Sequence, residues 1–373
     1  MDKKTTIAIV TIDDYINYGN RLQNYALTTL LQNKGYNVVN GVRVYTKEDW
    51  VTRTNGILKK IVKRMMPFAL VENKVICGIP SRQGLLKKRE EKFVDFIKEY
   101  TTVLDPLVEK KNKDVYNVLK KSQIEYAVAG SDQVWNPHYE AKGYEFLSFM
   151  PSERRLSFAA SIGVENIPED DKEYFKRRLL GMQYISVREE RAAQIIHELT
   201  GREADITLDP TLLLEKEEWK KIVRKPQLDI KDKYICTYFL GEMPDAVRIF
   251  AQEKGMTLYC LNDENDADLF TIDPAEFLYM IKNAEYVLTD SFHAVAFSIK
   301  FNKEFYVFDR KQEGVRNMFS RIETITKRFK LENRIQDREK VFEQPNITHW
   351  EEINEELRIE KDRSMRKLLE QMR

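Results

Sequence analysis

Residues 7–39 read IAIVTIDDYINYGNRLQNYALTTLLQNKGYNVV, and this stretch decides the fold class. Ile7–Ile12 is short and almost continuously apolar, which is typical of a parallel strand covered on both faces. Leucine, tyrosine and alanine residues then recur at helical spacing until Gly35, a residue type that commonly ends a helix. A second apolar run follows at Tyr36–Val39. The stretch is therefore a β-α-β unit and predicts a doubly wound parallel sheet.

The alternation of short apolar runs and helical patterns continues and then restarts once. Further strand-like runs lie at 125–130, 156–163 and 184–189, and a second series lies at 234–241, 257–262, 285–290 and 304–309. Two series predict two Rossmann-like α/β domains. We assign residues 1–210 to the N-terminal domain, 211–232 to a linker, 233–345 to the C-terminal domain and 346–373 to a C-terminal amphipathic helix that packs back across the domains.

Composition excludes several classes of protein. The chain has 373 residues, with 61 Lys and Arg against 60 Asp and Glu, so it is not a globally basic nucleic-acid-binding protein. Its three cysteines are far apart and form no zinc or disulfide pattern. Charges interrupt every apolar stretch before it reaches the length of a membrane span. We expect a cytoplasmic protein that begins near Met1 and binds no nucleic acid.

A basic insertion interrupts the first series at 57–89. It holds nine Lys and Arg residues and one acid, Glu72, interleaved with Leu, Ile, Val, Met and Phe. This composition is typical of a helix that lies on anionic lipid, which predicts peripheral contact with the inner face of the cell membrane. The alternative is a solvated helical insertion packed on the first domain.

Two polar turns follow predicted strands of the first domain. Gly19 and Asn20 open the first helix, where Gly19 frees the turn and Asn20 either caps the helix or places its amide near a ligand. After Gly130 a second turn carries polar groups suited to sugar hydroxyls: Ser131, Asp132, Gln133 and Asn136. Trp135 either offers a flat surface to a pyranose ring or lies in the core.

Two further turns carry charge. Arg188 ends a predicted strand, where its guanidinium either binds a carboxylate or phosphate or pairs with Glu189 or the acid after it. Asp290 or Ser291 is predicted to cap a helix that starts at Phe292–His293. A helix N-terminus binds anions, and an imidazole beside it adds a proton donor.

Three arginines follow the last strand of the second domain, Arg310, Arg316 and Arg321. They either contact a phosphate or form a solvated face, and Arg316 is our candidate for substrate binding. No metal-ligating cluster is evident in the sequence.

Six segments together resemble the polysaccharide pyruvyl transferase family: GNRLQNYAL at 19–27, AGSDQVWNP at 129–137, SFAASIG at 157–163, SVREERA at 186–192, LDPTLLL at 208–214 and LTDSFHAVAFS at 288–298. The resemblance implies a glycosyltransferase-B-like fold, in which two Rossmann-like domains face each other across a cleft. It also implies that His293, beside Phe292, is the family's essential histidine and that Arg188 is its important arginine.

The resemblance further implies transfer of pyruvate from phosphoenolpyruvate to a sugar of a surface polysaccharide, as a ketal, with release of phosphate. Phosphoenolpyruvate is then a donor substrate and no separate cofactor is needed. The acceptor is expected on the first-domain wall, as a glycan that is in some members lipid-linked. Asp132 and Asp290 are the candidates for an assisting carboxylate.

Two other functions remain open at this point. A nucleotide-sugar glycosyltransferase has the same two-domain shape, and fold alone does not exclude it. A non-catalytic carbohydrate-binding protein would also use the polar turns, but it would not need His293.

Overall fold

The first half of the chain builds a parallel sheet flanked by helices. The computed structural model describes residues 4–12, 16–40, 82–102, 123–139, 144–310 and 319–372. The elements of this half are β1 (Thr6–Val10), α1 (Tyr18–Gln32), β2 (Asn37–Asn40), α2 (Arg82–Tyr100), β3 (Ile124–Ala129), β4 (Arg155–Ser157), α3 (Glu169–Leu180), β5 (Ser186–Val187), α4 (Glu190–Thr200) and β6 (Asp205–Ile206). The strands pair in the orders β2-β1-β3-β4 and β5-β6, all parallel. Single bridges from Leu156 to Tyr184 and from Ala160 to Val187 join the two groups.

The second half builds another parallel sheet. Its elements are α5 (Pro210–Leu213), α6 (Lys216–Ile222), β7 (Tyr234–Tyr238), α7 (Asp245–Lys254), β8 (Thr257–Cys260), α8 (Ala267–Phe270), α9 (Pro274–Asn283), β9 (Tyr286–Thr289), α10 (Phe292–Lys300), β10 (Glu304–Phe308), α11 (Ser320–Arg328), β11 (Ile335–Gln336) and α12 (Trp350–Glu370). The strand order is β11-β10-β9-β7-β8, again all parallel. Single 3₁₀ turns lie at Pro137–Tyr139, Tyr144–Phe146, Ser152–Arg154 and Glu332–Arg334.

Both sheets reverse their winding direction beside their first strand. β1 lies between β2 and β3, and β7 lies between β8 and β9. Connections leave such a switch point in opposite directions, which opens a crevice at the carboxyl ends of the strands. The predicted fold class, two Rossmann-like doubly wound α/β sheets in a glycosyltransferase-B-like chain, is confirmed.

One predicted strand, at 156–163, is much longer than the strand in the structure. Its continuous pairing ends at Ser157 in β4, because Ala159 takes a left-handed φ of 52° that no strand allows. The Ser157 hydroxyl donates to the Ser186 carbonyl (3.0 Å) and accepts from the Ser186 N–H (2.9 Å), which replaces ladder bonds. A buried irregular segment is as apolar in sequence as a buried strand, so the apolar run does not show where the strand ends. The prediction of a long strand was therefore wrong here.

Aromatic packing joins the two halves. The Tyr18 ring, at the start of α1, stacks on Phe277 of α9 with centroids 4.3 Å apart, and its hydroxyl donates to the Ile272 carbonyl at 2.9 Å. The Arg89 guanidinium of α2 lies 4.6 Å from the Tyr18 ring and 4.8 Å from the Phe270 ring. One apolar cluster therefore includes residues of both halves.

Helix α12 packs back as predicted. Ile353, Leu357, Met365 and Leu368 are buried on one face. Its polar face contacts both halves of the chain, because Lys367 pairs with Asp205 of β6 and Glu360 pairs with Arg328 of α11.

Only the end of the basic insertion lies within the described residues. Residues 82–89 form the start of α2, in which Leu85 and Arg89 are buried against the protein. This part of the insertion agrees with the alternative prediction, a helix packed on the protein. Residues 57–81, to which the membrane prediction mainly applies, lie outside the described residues. No helix in the described part of the chain is long and apolar enough to cross a membrane.

Candidate functional site

Asp209 is the centre of a buried charged cluster between the sheets. It precedes α5, whose first turn it caps by accepting from the Thr211 N–H (2.9 Å) and the Thr211 hydroxyl (2.6 Å) through Oδ1. Its Oδ2 accepts from the Ser131 hydroxyl at 2.7 Å and lies 2.9 Å from Arg188 Nη2. The cap fixes the carboxylate, so one oxygen is turned permanently toward the cluster.

Arg188 enters this cluster directly after β5. Its Nη2 donates to Ser131 Oγ at 2.8 Å and lies 3.8 Å from Asp132 Oδ1. Its guanidinium carbon lies 4.8 Å from the centre of the Phe292 ring. Arg188 Nε and Nη1 are buried and have no hydrogen-bond partner among the described residues. Two donors of the fork are therefore unsatisfied in a site with several charged neighbours.

His293 reaches the same cluster from the second sheet. It is the second residue of α10, and its Nε2 lies 3.8 Å from Asp209 Oδ2, beyond hydrogen-bond distance. Gly19 of α1 packs against the imidazole so closely that a Cβ there would lie 1.9 Å from His293 Nδ1. Only glycine at position 19 therefore lets this ring occupy its place beside the first sheet.

Asp132 forms the other side of the cluster. It follows β3 with a left-handed φ of 73°, and its Oδ2 accepts from the Asn20 side-chain amide at 2.6 Å. Its Oδ1 accepts from the Gln133 N–H at 2.9 Å and lies 3.8 Å from Arg188 Nη2 and 3.9 Å from Arg321 Nη1. Arginines from both halves of the chain thus approach one carboxylate.

The charges shift the pKa values of both aspartates in the same direction. Burial alone would raise the pKa of Asp209, but Arg188 and His293 outweigh it and hold that pKa far below its usual range. Burial would also raise the pKa of Asp132. The charges of His293, Arg188 and Arg321 together outweigh this effect, so the pKa of Asp132 is lowered. Both carboxylates are therefore ionised at neutral pH and balance the two guanidinium groups.

Three predicted polar residues of the first domain make structural contacts. Asn17, rather than Asn20, caps α1 by accepting from the Asn20 N–H at 3.3 Å, so the capping role proposed for Asn20 was wrong. The Asn136 amide donates to Gln133 Oε1 at 2.6 Å. Gly163 lies against both side chains, since a Cβ there would lie 2.9 Å from Gln133 Oε1.

Other candidates are placed as follows. Trp135 is in the core, stacked on Phe146 with centroids 5.4 Å apart, which excludes a sugar-stacking role. Ser291 stands at the N-cap of α10, but its side chain makes no capping bond. Arg316 lies outside the described residues.

Asp290 holds a loop of its own sheet. Its Oδ1 accepts from the Leu240 N–H at 2.7 Å, and its Oδ2 accepts from the Gly241 N–H at 2.8 Å and from Arg310 Nε at 3.2 Å. All its bonds are thus made within the second sheet, and it does not cap α10.

Sequence reasoning missed Asp209. The sequence assignment places Asp209 at the end of the N-terminal domain, next to the predicted linker, and the helix start that Pro210 favours does not reveal what the second carboxylate oxygen contacts. Arg321 was considered, yet Arg316 was preferred, because spacing alone does not show which arginine of a loop turns inward. Charged side chains are buried only where they are paired, so a buried one can be recognised only when the positions of its partners are known.

A cavity of about 600 Å³ lies elsewhere in the described part of the chain. It is lined by residues of α2, α9 and the loop before β7, and none of them belongs to the cluster around Asp209. Within the described residues, no three His, Cys, Asp or Glu side chains are grouped as metal ligands would be.

Comparison with known proteins identifies the family. The model of the family polysaccharide pyruvyl transferase matches residues 17–312 of this chain. Because the match spans most of the chain, the protein belongs to the polysaccharide pyruvyl transferase family. Among curated protein sequences, none matches this chain.

Solved structures with a related architecture are distant. The S. aureus MnaA–UDP structure has 12% identity and a TM-score of 0.46, with 91% of this chain and 85% of that chain covered. The UDP-GlcNAc 2-epimerase of Neisseria meningitidis bound to UDP-GlcNAc has 10% identity and a TM-score of 0.45, with 98% and 100% covered. A glycosyltransferase from Rickettsia africae has 12% identity and a TM-score of 0.42, with 99% and 98% covered. We infer no activity from likenesses of this strength.

Proposed function

We propose that this protein transfers pyruvate from phosphoenolpyruvate to a sugar of a surface-polysaccharide unit as a ketal, with release of phosphate. One observation carries the proposal: Arg188 Nη2 lies 2.9 Å and His293 Nε2 3.8 Å from the same Asp209 oxygen. An anion-binding fork and a proton-transfer group thus meet between the two sheets. Membership of the pyruvyl transferase family supports the same chemistry.

The cluster suits a small substrate with two anionic groups. Arg188 Nε and Nη1 are buried donors without partners among the described residues, and a carboxylate or phosphate would satisfy either of them. Helix α10 starts beside the cluster without a side-chain cap, so its first N–H groups are available to an anion. Arg321 adds a second positive charge near Asp132. Phosphoenolpyruvate carries both a carboxylate and a phosphate on a three-carbon body.

The proposed reaction needs three proton transfers. His293 gives a proton to C3 of the enol phosphate, which makes C2 electrophilic, and a sugar hydroxyl forms the first C2–O bond. The phosphate leaves with the electron pair of its own C2–O bond, and a second hydroxyl closes the ketal. Of the two hydroxyl protons, one resets His293 and the other leaves with phosphate. Arg188 and Arg321 stabilise the charge that develops on the departing group.

The test is incubation with phosphoenolpyruvate and a panel of glycosides that includes lipid-linked forms. Phosphate release together with the mass gain of a pyruvate ketal is the expected result. A matched thermal-shift experiment compares phosphoenolpyruvate with a nucleoside diphosphate. Stabilisation by the nucleoside diphosphate alone, without phosphate release, would instead identify a nucleotide-sugar glycosyltransferase.

A further inference from the structure

Glu189 has one engaged and one unsatisfied carboxylate oxygen. The residue is 3% exposed and directly follows Arg188. Its Oε1 accepts from the Ser161 hydroxyl (2.9 Å), the Ile162 N–H (3.0 Å) and the Gly163 N–H (3.1 Å). Its Oε2 is buried and has no hydrogen-bond partner among the described residues.

An unpartnered buried carboxylate oxygen is costly in either protonation state. Ionised, it is an acceptor without a donor, and protonated, it is a donor without an acceptor; both states lose the hydrogen bond that water would supply in the unfolded chain. A loop anchor needs only Oε1, which already holds three donors. Anchoring of the loop therefore explains why Oε1 is buried and leaves the burial of Oε2 unexplained.

The other carboxylates near the cluster differ from Glu189. Asp132 engages Oδ1 with the Gln133 N–H and Oδ2 with Asn20. Asp209 engages both oxygens, and so does Asp290. Among these four buried acids, only Glu189 has an oxygen that makes no hydrogen bond within the described part of the chain.

The groups around Glu189 indicate which kind of ligand would donate a hydrogen bond to Oε2. Gly163, which donates to Glu189, packs against the side-chain amides of Gln133 and Asn136. Glu189 also acts on the cluster electrostatically, since it counters the lowering of the Arg321 pKa that burial and Arg188 produce. The carboxylate thus lies in the neighbourhood of both amide groups and the anion-binding arginines. Amides and a carboxylate acceptor are the groups that hold sugar hydroxyls.

We propose that Glu189 Oε2 accepts the hydrogen bond of an acceptor-sugar hydroxyl and takes its proton as the bond to C2 forms. This inference rests on the proposed function and adds a residue to it. The proton balance is unchanged: the hydroxyl proton held by Glu189 passes to the departing phosphate, while the second hydroxyl resets His293.

Glu189→Gln tests this proposal, because glutamine keeps a carbonyl oxygen for the three Oε1 donors and replaces Oε2 with an amide. We expect the acceptor KM to rise at least about tenfold and kcat to fall on the order of 10²-fold, as for loss of a general base. The thermal shift produced by phosphoenolpyruvate should equal that of the wild type. Ser161→Ala is the matched control, since it weakens the Oε1 anchor and leaves Oε2 untouched; its acceptor KM should stay within about threefold.

Two results would overturn the inference: wild-type acceptor KM and kcat in Glu189→Gln, or the same KM increase in Ser161→Ala. If the wild type releases no phosphate, the proposed function fails, and direct titration with the glycoside panel still tests Glu189. Glycoside binding that the wild type shows and Glu189→Gln loses supports the sugar-binding role. Equal binding by both proteins, or none by the wild type, rejects it.

Discussion

Asp132 and Asp290 occupy equivalent positions in the two sheets and have different surroundings. Each follows the third strand of its sheet in chain order, β3 and β9, beside the first strand. Asp290 is bonded by the N–H groups of Leu240 and Gly241 and by Arg310, all within the second sheet. Asp132 faces Arg321, which belongs to the other half of the chain.

The difference shows how one topology yields a carboxylate held within its own sheet and a carboxylate that faces the other half of the chain. A carboxylate whose donors are backbone N–H groups of a neighbouring loop is fixed and neutralised locally. A carboxylate that faces side chains from several segments depends on how the sheets are assembled. The second arrangement is therefore where a substrate, or a change in assembly, alters the electrostatics.

The largest effect should come from His293→Ala. Removing the proton donor should lower phosphate release on the order of 10³-fold, while the far-UV spectrum and Tm remain near those of the wild type. His197→Ala is the control, because that imidazole is 59% exposed and pairs with Glu203 at the surface. Equal activities of the two variants would remove His293 from the chemistry.

Asp209→Asn should have the next largest effect. Asparagine retains the cap to Thr211, but Arg188 loses its charged partner, so turnover should fall on the order of 10²-fold and stability by about 3 kcal/mol. Denaturant unfolding and steady-state kinetics measure the two losses.

The pH dependence of that stability difference has a definite sign. Because the pKa of Asp209 is lowered in the folded protein, its contribution is fully present above the unfolded pKa of about 4 and is lost as pH falls through the lower folded value. The difference in unfolding free energy between wild type and Asp209→Asn should therefore be constant from about pH 5 to 8 and shrink only below about pH 4. A difference that disappears near pH 6 would contradict this assignment.

Gly19→Ala should cost about 2–3 kcal/mol through overpacking against His293. The Gly19→Ala/His293→Ala double variant should recover most of that stability without recovering turnover, which measures the contact directly. Gly181→Ala is the control, since the tightest contact of its Cβ would be the side-chain tip of Arg155 at 3.0 Å, and the backbone atoms nearby lie at 3.4 Å or more. Additive stability losses in the double variant would show that Gly19 and His293 do not interact.

Asp290→Asn should have the smallest effect on the reaction. Loss of its charged bonds to the loop and Arg310 should lower stability by about 1–2 kcal/mol, but turnover per folded molecule should stay within about threefold. Asp132→Asn, measured in parallel, should lower turnover per folded molecule by more than its loss of stability explains. Identical behaviour of the two variants would break the distinction drawn between these aspartates.

Local patterns carried much of the prediction. The start of α10 at Phe292, the position of Arg188 after β5 and the chain order of strands and helices all follow from periodicity and turn residues. The cap of α1 and the short β4 were mispredicted, because neighbouring asparagines compete for one cap and buried irregular backbone has an apolar sequence too. The roles proposed for Arg188 and His293 stay predictions that the variants above address.

The sequence by itself determined the two β-α series, the family and the turns that carry polar groups, because each depends on residues close together in the chain. Only the tertiary structure decided which of those groups meet. Asp209, Ser131, Arg188 and His293 come from four separate segments, and Gly19 adds a fifth. Charge compensation and close packing between distant segments have no periodic pattern, so they become visible only when the two sheets are assembled.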